Sequence, residues 1–323
     1  MSPRGCVLIA AVCFGTTGTA QALGPDDARA VAVGSGRIAL GGALLVAFAW
    51  LGARRAAADA QARPVIATGI PWPMLLLAGA CVAAYQLCFF AAVQQTGVAV
   101  GTVVAIGSGP AFAGALGWIV VREAPGRRWA AATGLACGGV TLLVLGGGSA
   151  DVAAGGVLLA LGAGAGYASY TVIAKQLLRA GHTPERVMAG AFGSGGVLLL
   201  PVLAATAGPW LWSLGGIALI VFLGLVPTAL AYVLFARGLR ELTAGETATL
   251  TLAEPLTATA LGAIVLGERP GAVAIAGAAL VLTGLLALAG GGRRARPVAE
   301  PGLAGAGPNA RVTPPVPSVE GSP

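Results

Sequence analysis

Charge is scarce in this chain. Of its 323 residues only 10% are Asp, Glu, Lys or Arg, where a soluble domain carries about 25%. So few charges cannot solubilise the globular domains that the length alone would allow. Histidine is nearly missing, with His182 the single one. The five cysteines, Cys6, Cys13, Cys81, Cys88 and Cys137, lie in or beside apolar stretches and form no CxxC pair. These shortages argue against a zinc site or a disulfide framework and leave the cysteines as small packed hydrophobes. No Walker-type phosphate loop, GxSxG or HExxH occurs. An ATPase, a serine hydrolase and a zinc protease are therefore disfavoured, no cofactor or metal is expected, and the chain does not read as an enzyme. The net charge of +7 does not mark a nucleic-acid binder. The basic residues fall between apolar runs, as membrane-protein loops do, and form no basic domain.

What is abundant is apolar: 57% of residues are hydrophobic, and the mean hydropathy is +0.86. A spanning helix needs about 20 mostly apolar residues. Ten such stretches are present, at 5–23, 30–50, 72–93, 98–121, 128–146, 153–174, 187–206, 214–236, 245–266 and 271–290. The links at Thr96-Gly97 and Arg269-Pro270 are so short that the helices they join must be antiparallel neighbours. Arg4, an apolar run and Ala20-Gln21-Ala22 imitate a secretory signal, but the repeat described below needs this segment as a retained first helix. Residues 291–323 carry Arg293, Arg294 and Arg296, many prolines and no long apolar run. That composition predicts a disordered tail whose basic start suits a cytoplasmic membrane surface.

The positive-inside rule tests this layout. With the N-terminus inside, 16 of the 19 basic residues fall on the inner side, Arg29 and Arg269 fall outside, and Arg37 lies within the second stretch. The expectation is a multi-pass plasma-membrane protein with both termini cytoplasmic. A missed or invented helix would destroy this bias.

The chain also repeats. Shifted by 145 residues, 98–126 matches 243–271 at 12 of 29 positions without a gap. Ala and Gly matches mean little here. Pro110 with Pro255, and Glu123-Ala124-Pro125-Gly126 with Glu268-Arg269-Pro270-Gly271, are informative. Gly79 with Gly224, Phe90 with Phe235 and Gly139 with Gly284 extend the register. Five helices per copy is an odd number, so the second copy enters the membrane from the opposite side. The predicted fold is all-α integral membrane, with ten transmembrane helices in two inverted five-helix repeats at 1–147 and 148–290 and a tail at 291–323. Such repeats are common in secondary transporters, where the substrate site lies near the midplane between the copies. An old duplication without mechanistic meaning is the alternative.

Ten helices, paired repeats and the helix endings Arg122-Glu123-Ala124-Pro125 and Gly267-Glu268-Arg269-Pro270 resemble the EamA-type branch of the drug/metabolite transporter superfamily, over residues 5 to 290. The resemblance implies mid-helix prolines in the fourth and ninth helices, here Pro110 and Pro255, and closing glutamates, here Glu123 and Glu268. It also implies an arginine in the second helix, which Arg37 matches. Phe192-Gly193-Ser194-Gly195 occupies the corresponding region of the second copy. Family members are mostly exporters of amino acids and other metabolites. The expected partners are a small-molecule substrate and the lipid bilayer, with the proton as a candidate coupling ion and no nucleic acid. A monomer is expected, with a homodimer as the alternative.

Glu254 is the sharpest candidate for the chemistry. It sits about nine residues into the ninth stretch beside Pro255. A charge at mid-membrane costs about 2.5–3.5 kcal/mol on insertion scales and so faces a cavity or a partner. Pro255 frees a backbone carbonyl and can bend the helix. The pair could bind substrate or take up a proton; alternatively Thr251 or Thr257 satisfies the glutamate. Glu254 aligns with Gly109, so the role is asymmetric. Arg37, about 10 Å below the outer surface at 1.5 Å per residue, could bind an anionic substrate group, pair with Glu254 or snorkel outward. Glu123 and Glu268 read as structural groups that cap the next helix or pair with Arg127, Arg128 or Arg269. Tyr85, Gln86, Tyr167, Tyr170 and Tyr232 carry polar tips that need partners in an apolar setting, and some of them should line the central cavity. Trp50, Trp72, Trp129, Trp210 and Trp212 read as interfacial belts. The pairs Gly134/Gly138 and Gly162/Gly166 read as sites of close helix approach.

Overall fold

The computed structural model describes residues 1–58, 69–145 and 153–289, and every regular element among them is helical. Arg63, the boundary between the expected repeats at 147/148 and the expected tail at 291–323 lie outside the described residues.

The first helix, α1 (Pro3–Ala22), starts where Ser2 accepts the Gly5 N–H at 3.1 Å and Pro3 presets the first turn. α2 (Ala30–Ala58) returns. Residues Trp72–Val121 hydrogen-bond as one helix, but Gly97 adopts φ 78°, ψ 162° and splits it into α3 (Trp72–Gly97) and α4 (Val100–Val121). That positive φ suits glycine, which has no Cβ to clash. There follow α5 (Arg127–Leu145), α6 (Ala154–Arg179), α7 (Pro184–Thr206), α8 (Leu214–Glu241), α9 (Ala244–Val265) and α10 (Ala272–Ala289).

These helices lie on the apolar stretches read from the sequence. Eight of them, α1 to α4 and α6 to α9, are long and apolar enough to cross a membrane. α10 is apolar over the shorter Ala272–Leu288. Cross-contacts sort the helix ends. Gly238 meets Pro3 and Val7, and Arg179 bonds the Val121 carbonyl. The ends near residues 3, 121, 179, 241 and 244 thus form one side of the bundle, called proximal here. Gly24 meets Leu219 and Gly156 meets Gln95, which defines the distal side.

Two helices are interrupted. α8 passes through a π-helical segment, Leu225–Leu230, around Pro227. Proline supplies no N–H to the helical ladder, and the Thr228 hydroxyl donates to the Leu223 carbonyl at 2.7 Å. α9 breaks between Ala244–Leu250 and Ala253–Val265, just ahead of Pro255. The break in α9 adjoins the cavity, and α8 reaches it at Tyr232, two residues past its π-helical segment.

Packing relies on small residues. A Cβ on Gly139 would stand 2.5 Å from the Val281 nitrogen, and one on Gly284 would stand 2.7 Å from the Ala132 carbonyl oxygen. α5 and α10 therefore cross through glycines that are mates in the sequence repeat, in the manner of small-residue packing in membranes. Gly166 serves similarly against Cys81 and Tyr85, whereas Gly134 meets nothing within 4 Å. Trp50, Trp72 and Trp212 are exposed as a belt requires, but Trp210 is buried and Trp129 donates to the Thr249 hydroxyl at 3.1 Å. An aromatic cluster of Tyr170, Phe192, Tyr232 and Phe235 joins α6, α7 and α8.

Candidate functional site

A cavity of about 570 Å³ lies among α1, α2, α3, α4, α6, α8 and α9. Its lining reaches Gln21, Ala30, Val93 and Thr102, close to the distal helix ends. Toward the proximal side it stops at Phe14, Tyr167, Tyr232 and Ala248. At that level Ala248 packs with Ala113 and Ala168 in a buried apolar cluster. The cavity lining thus extends toward the distal helix ends and stops short of the proximal ones.

Most of the residues singled out by sequence converge here. Arg37, Tyr85, Gln86, Tyr167, Tyr232, Glu254, Pro110 and Pro255 all line the cavity. Arg37 neither pairs with Glu254 nor snorkels out of the bundle: its Nη2 donates to Gln86 Oε1 at 3.2 Å. Gln86 is 2% exposed, so this amide is a fixed support for the guanidinium. Glu254 is half-buried, and among the described residues its carboxylate has no hydrogen bond or ion pair. The threonines that could have satisfied it are engaged elsewhere. Thr251 donates to the Ala248 carbonyl at 2.7 Å and shares a 3.1 Å contact with the Tyr167 hydroxyl. Thr257 donates to the Ala253 carbonyl at 3.1 Å. Glu254 therefore presents to the cavity a carboxylate that a ligand, water or proton can compensate.

The repeat explains the cavity's asymmetry. Gly109, the mate of Glu254, also lines the wall, and a Cβ there would stand 3.3 Å from Tyr167 Cδ1. One copy supplies a carboxylate where the other leaves room for a tyrosine ring. Tyr170 is the exception among the candidates. It is 1% exposed and packs behind the wall, edge-on to Tyr167 at 5.3 Å between centroids. Sequence reading named Thr251 only as a partner for Glu254, whereas its hydroxyl ties α9 to Tyr167, and it missed the aromatic wall of Phe14, Phe89 and Phe90. An apolar aromatic within an apolar helix carries no periodic signal that separates cavity from core.

Glu123 and Glu268, alike in sequence, behave differently. Glu123 accepts from Arg179 Nη2 at 2.7 Å, lies 3.5 Å from Lys175 Nζ and accepts the Ala244 N–H at 3.0 Å. Its partners are therefore on α6 and at the start of α9, while Arg128 bonds the Ala287 carbonyl instead. Glu268 is exposed and forms no ion pair among the described residues. Among those residues no group of three His, Cys, Asp or Glu is placed to hold a metal ion.

An all-helical bundle with spanning-length apolar helices and a mostly apolar cavity that holds Arg37 and Glu254 defines a multi-pass membrane protein of the transporter type. The EamA-like transporter family model matches twice, over residues 5–145 and 154–290. The chain belongs to the EamA-like transporter family. It is 40% identical over 288 residues to the uncharacterized transporter YwfM of Bacillus subtilis (strain 168), covering 89% of this chain and 94% of that protein. It is 33% identical over 133 residues to an uncharacterized transporter of Archaeoglobus fulgidus, covering 41% and 46%. A protein of known crystal structure superposes with a TM-score of 0.72 at 19% identity, over 88% of this chain and 96% of the other, which shows a shared fold.

Proposed function

We propose that this protein is a secondary transporter of the plasma membrane that exports a small metabolite, such as an amino acid or a drug-like compound, by alternating access. In this reading all ten helices span the bilayer as two inverted five-helix copies, both termini face the cytoplasm, and the functional unit is a monomer. The observation that carries it is a cavity, built by both copies, that brings together a supported cation at Arg37 and a carboxylate at Glu254 with no hydrogen bond or ion pair among the described residues. A zwitterion or amphipathic amine with a carboxylate would compensate both charges, with the aromatic wall around its apolar part. The uncompensated Glu254 also supports proton coupling, since protonation relieves a charge in a low-dielectric site.

The test is flux through purified protein in liposomes. A panel of amino acids, sugars, nucleosides and cationic drugs is offered with and without an imposed proton gradient. Saturable movement of at least one class, accelerated by the gradient, is the expected result. Saturable movement that ignores the gradient would leave transport and remove coupling. No movement of any class by demonstrably folded protein would overturn the reading.

A further inference from the structure

The charged cluster on the proximal side takes no part in the cavity, yet it is the most heavily bonded charged group among the described residues. Glu123 and Lys175 have side chains only 5% and 4% exposed. Lys175 Nζ donates to the carbonyls of Leu239, Arg240 and Leu242 at 2.8, 3.1 and 2.7 Å, which fastens α6 to the C-terminus of α8. A cation there also complements the negative end of the helix dipole. Arg179 Nη1 donates to the Val121 carbonyl at 2.7 Å and closes the end of α4. Glu123 then joins the two sets. It follows α4, in the first family match, and bonds Arg179 and the Ala244 N–H, in the second. The carboxylate meets the positive end of α9, where the dipole again favours it.

This cluster stands beyond the packed alanines Ala113, Ala168 and Ala248, on the side that the cavity lining does not reach. At the other end, Glu268 is the repeat mate of Glu123, is exposed and forms no ion pair among the described residues. The engaged glutamate sits at the shut mouth and the disengaged one at the open mouth. The pairing of state with contact suits a latch better than a scaffold brace, which would hold both ends alike. We infer that Glu123 is the gating residue of the proximal mouth. Its bonds to Arg179 and Ala244 hold the two copies together while the cavity faces the distal side, and they must break for the cavity to open proximally. Lys175 is the positioning residue that presents the far side of the latch. The inference rests on the alternating-access reading above, but its test needs no substrate.

Spin labels at exposed Arg127 and Arg240, introduced as cysteines with the native cysteines replaced, report the separation of the copies at the proximal side by pulsed electron spin resonance. The full chain in lipid nanodiscs is used. A narrow, short-distance population is expected without further change. Glu123→Gln, which keeps shape and removes charge, adds a second, longer-distance population. Arg179→Ala does the same to a smaller degree and, because Arg179 is half-exposed, spares the buried pair if Glu123→Gln fails to fold. Glu268→Gln leaves the short population unaltered. Distances unchanged in folded Glu123→Gln and Arg179→Ala would overturn the latch, whatever the flux assay reports. An equal shift in Glu268→Gln would overturn it too, by showing a general loosening.

Discussion

Arg37 donates across to Gln86 on α3 at 3.2 Å, although Glu254 lines the same cavity. The buried amide engages the guanidinium, and among the described residues no ion pair joins Arg37 to Glu254. An ion pair between them would leave each charge compensated by the protein and neither available to a ligand. Gln86 therefore matters because of what it prevents.

Removing that support has a calculable outcome. A hydrogen bond to a charged group contributes about 1.5–3 kcal/mol, equivalent to roughly tenfold to a hundredfold in affinity. Gln86→Leu should weaken substrate binding by that factor, because Arg37 is released toward Glu254. Adding Glu254→Gln removes the competing partner, so the double variant should lose less than the sum of the singles. Isothermal titration of the four proteins measures the coupling; strictly additive losses would refute it.

Glu254 has a different signature. Glu254→Gln keeps the size and polarity of the side chain but cannot exchange a proton. Gradient-driven accumulation in liposomes should vanish, while exchange of labelled for unlabelled substrate persists in part. Undiminished accumulation would eliminate the carboxylate as the coupling group.

The scaffold makes a prediction independent of transport. Gly139 and Gly284 lie where α5 and α10 touch, with backbone 2.5–2.7 Å from the Cβ that either would carry. Overpacking typically costs about 1–3 kcal/mol. Gly139→Val and Gly284→Val should each lower the thermal midpoint by several degrees. Gly134→Val, with nothing within 4 Å, should not. Scanning fluorimetry in detergent separates the three.

Much of this was legible in the sequence, for identifiable reasons. Apolar runs bounded by Arg, Pro and Gly locate helices because lipid tolerates little else. The repeat register singled out Pro110, Pro255, Gly139 and Gly284; the two glycines do the same backbone work twice, whereas α9 breaks ahead of Pro255 and α4 runs on through Pro110. Polar side chains in apolar helices were rare enough that Arg37, Gln86 and Glu254 could be named outright. Three-dimensional pairing was not legible. Lys175 and Arg179 looked like ordinary loop-flanking positive charges, and nothing in their spacing showed that Glu123, more than fifty residues away, would fold against them. Tyr170 and Tyr167 are three residues apart on one helix, yet one lies behind the wall and the other within it. The π-helical turn at Pro227 was also hidden, because a proline predicts an interruption and not its form.

Gly109 offers the sharpest probe of the cavity itself. A Cβ at this position would stand 3.3 Å from Tyr167 Cδ1, close enough to require a shift of a few tenths of an ångström but no repacking of backbone. Gly109→Ala should therefore fold normally and retain most of its transport. Gly109→Leu carries three more carbons into the space occupied by the ring, beside Glu254 and Thr251. The larger side chain can fit only by filling cavity or by pushing Tyr167 off its 3.1 Å contact with Thr251. Either way flux should fall at least tenfold while the thermal midpoint stays within a few degrees, since overpacking here is relieved into open space. A Leu variant that transports as well as the Ala variant would mean that substrate does not pass this point, and would move the site away from the paired prolines.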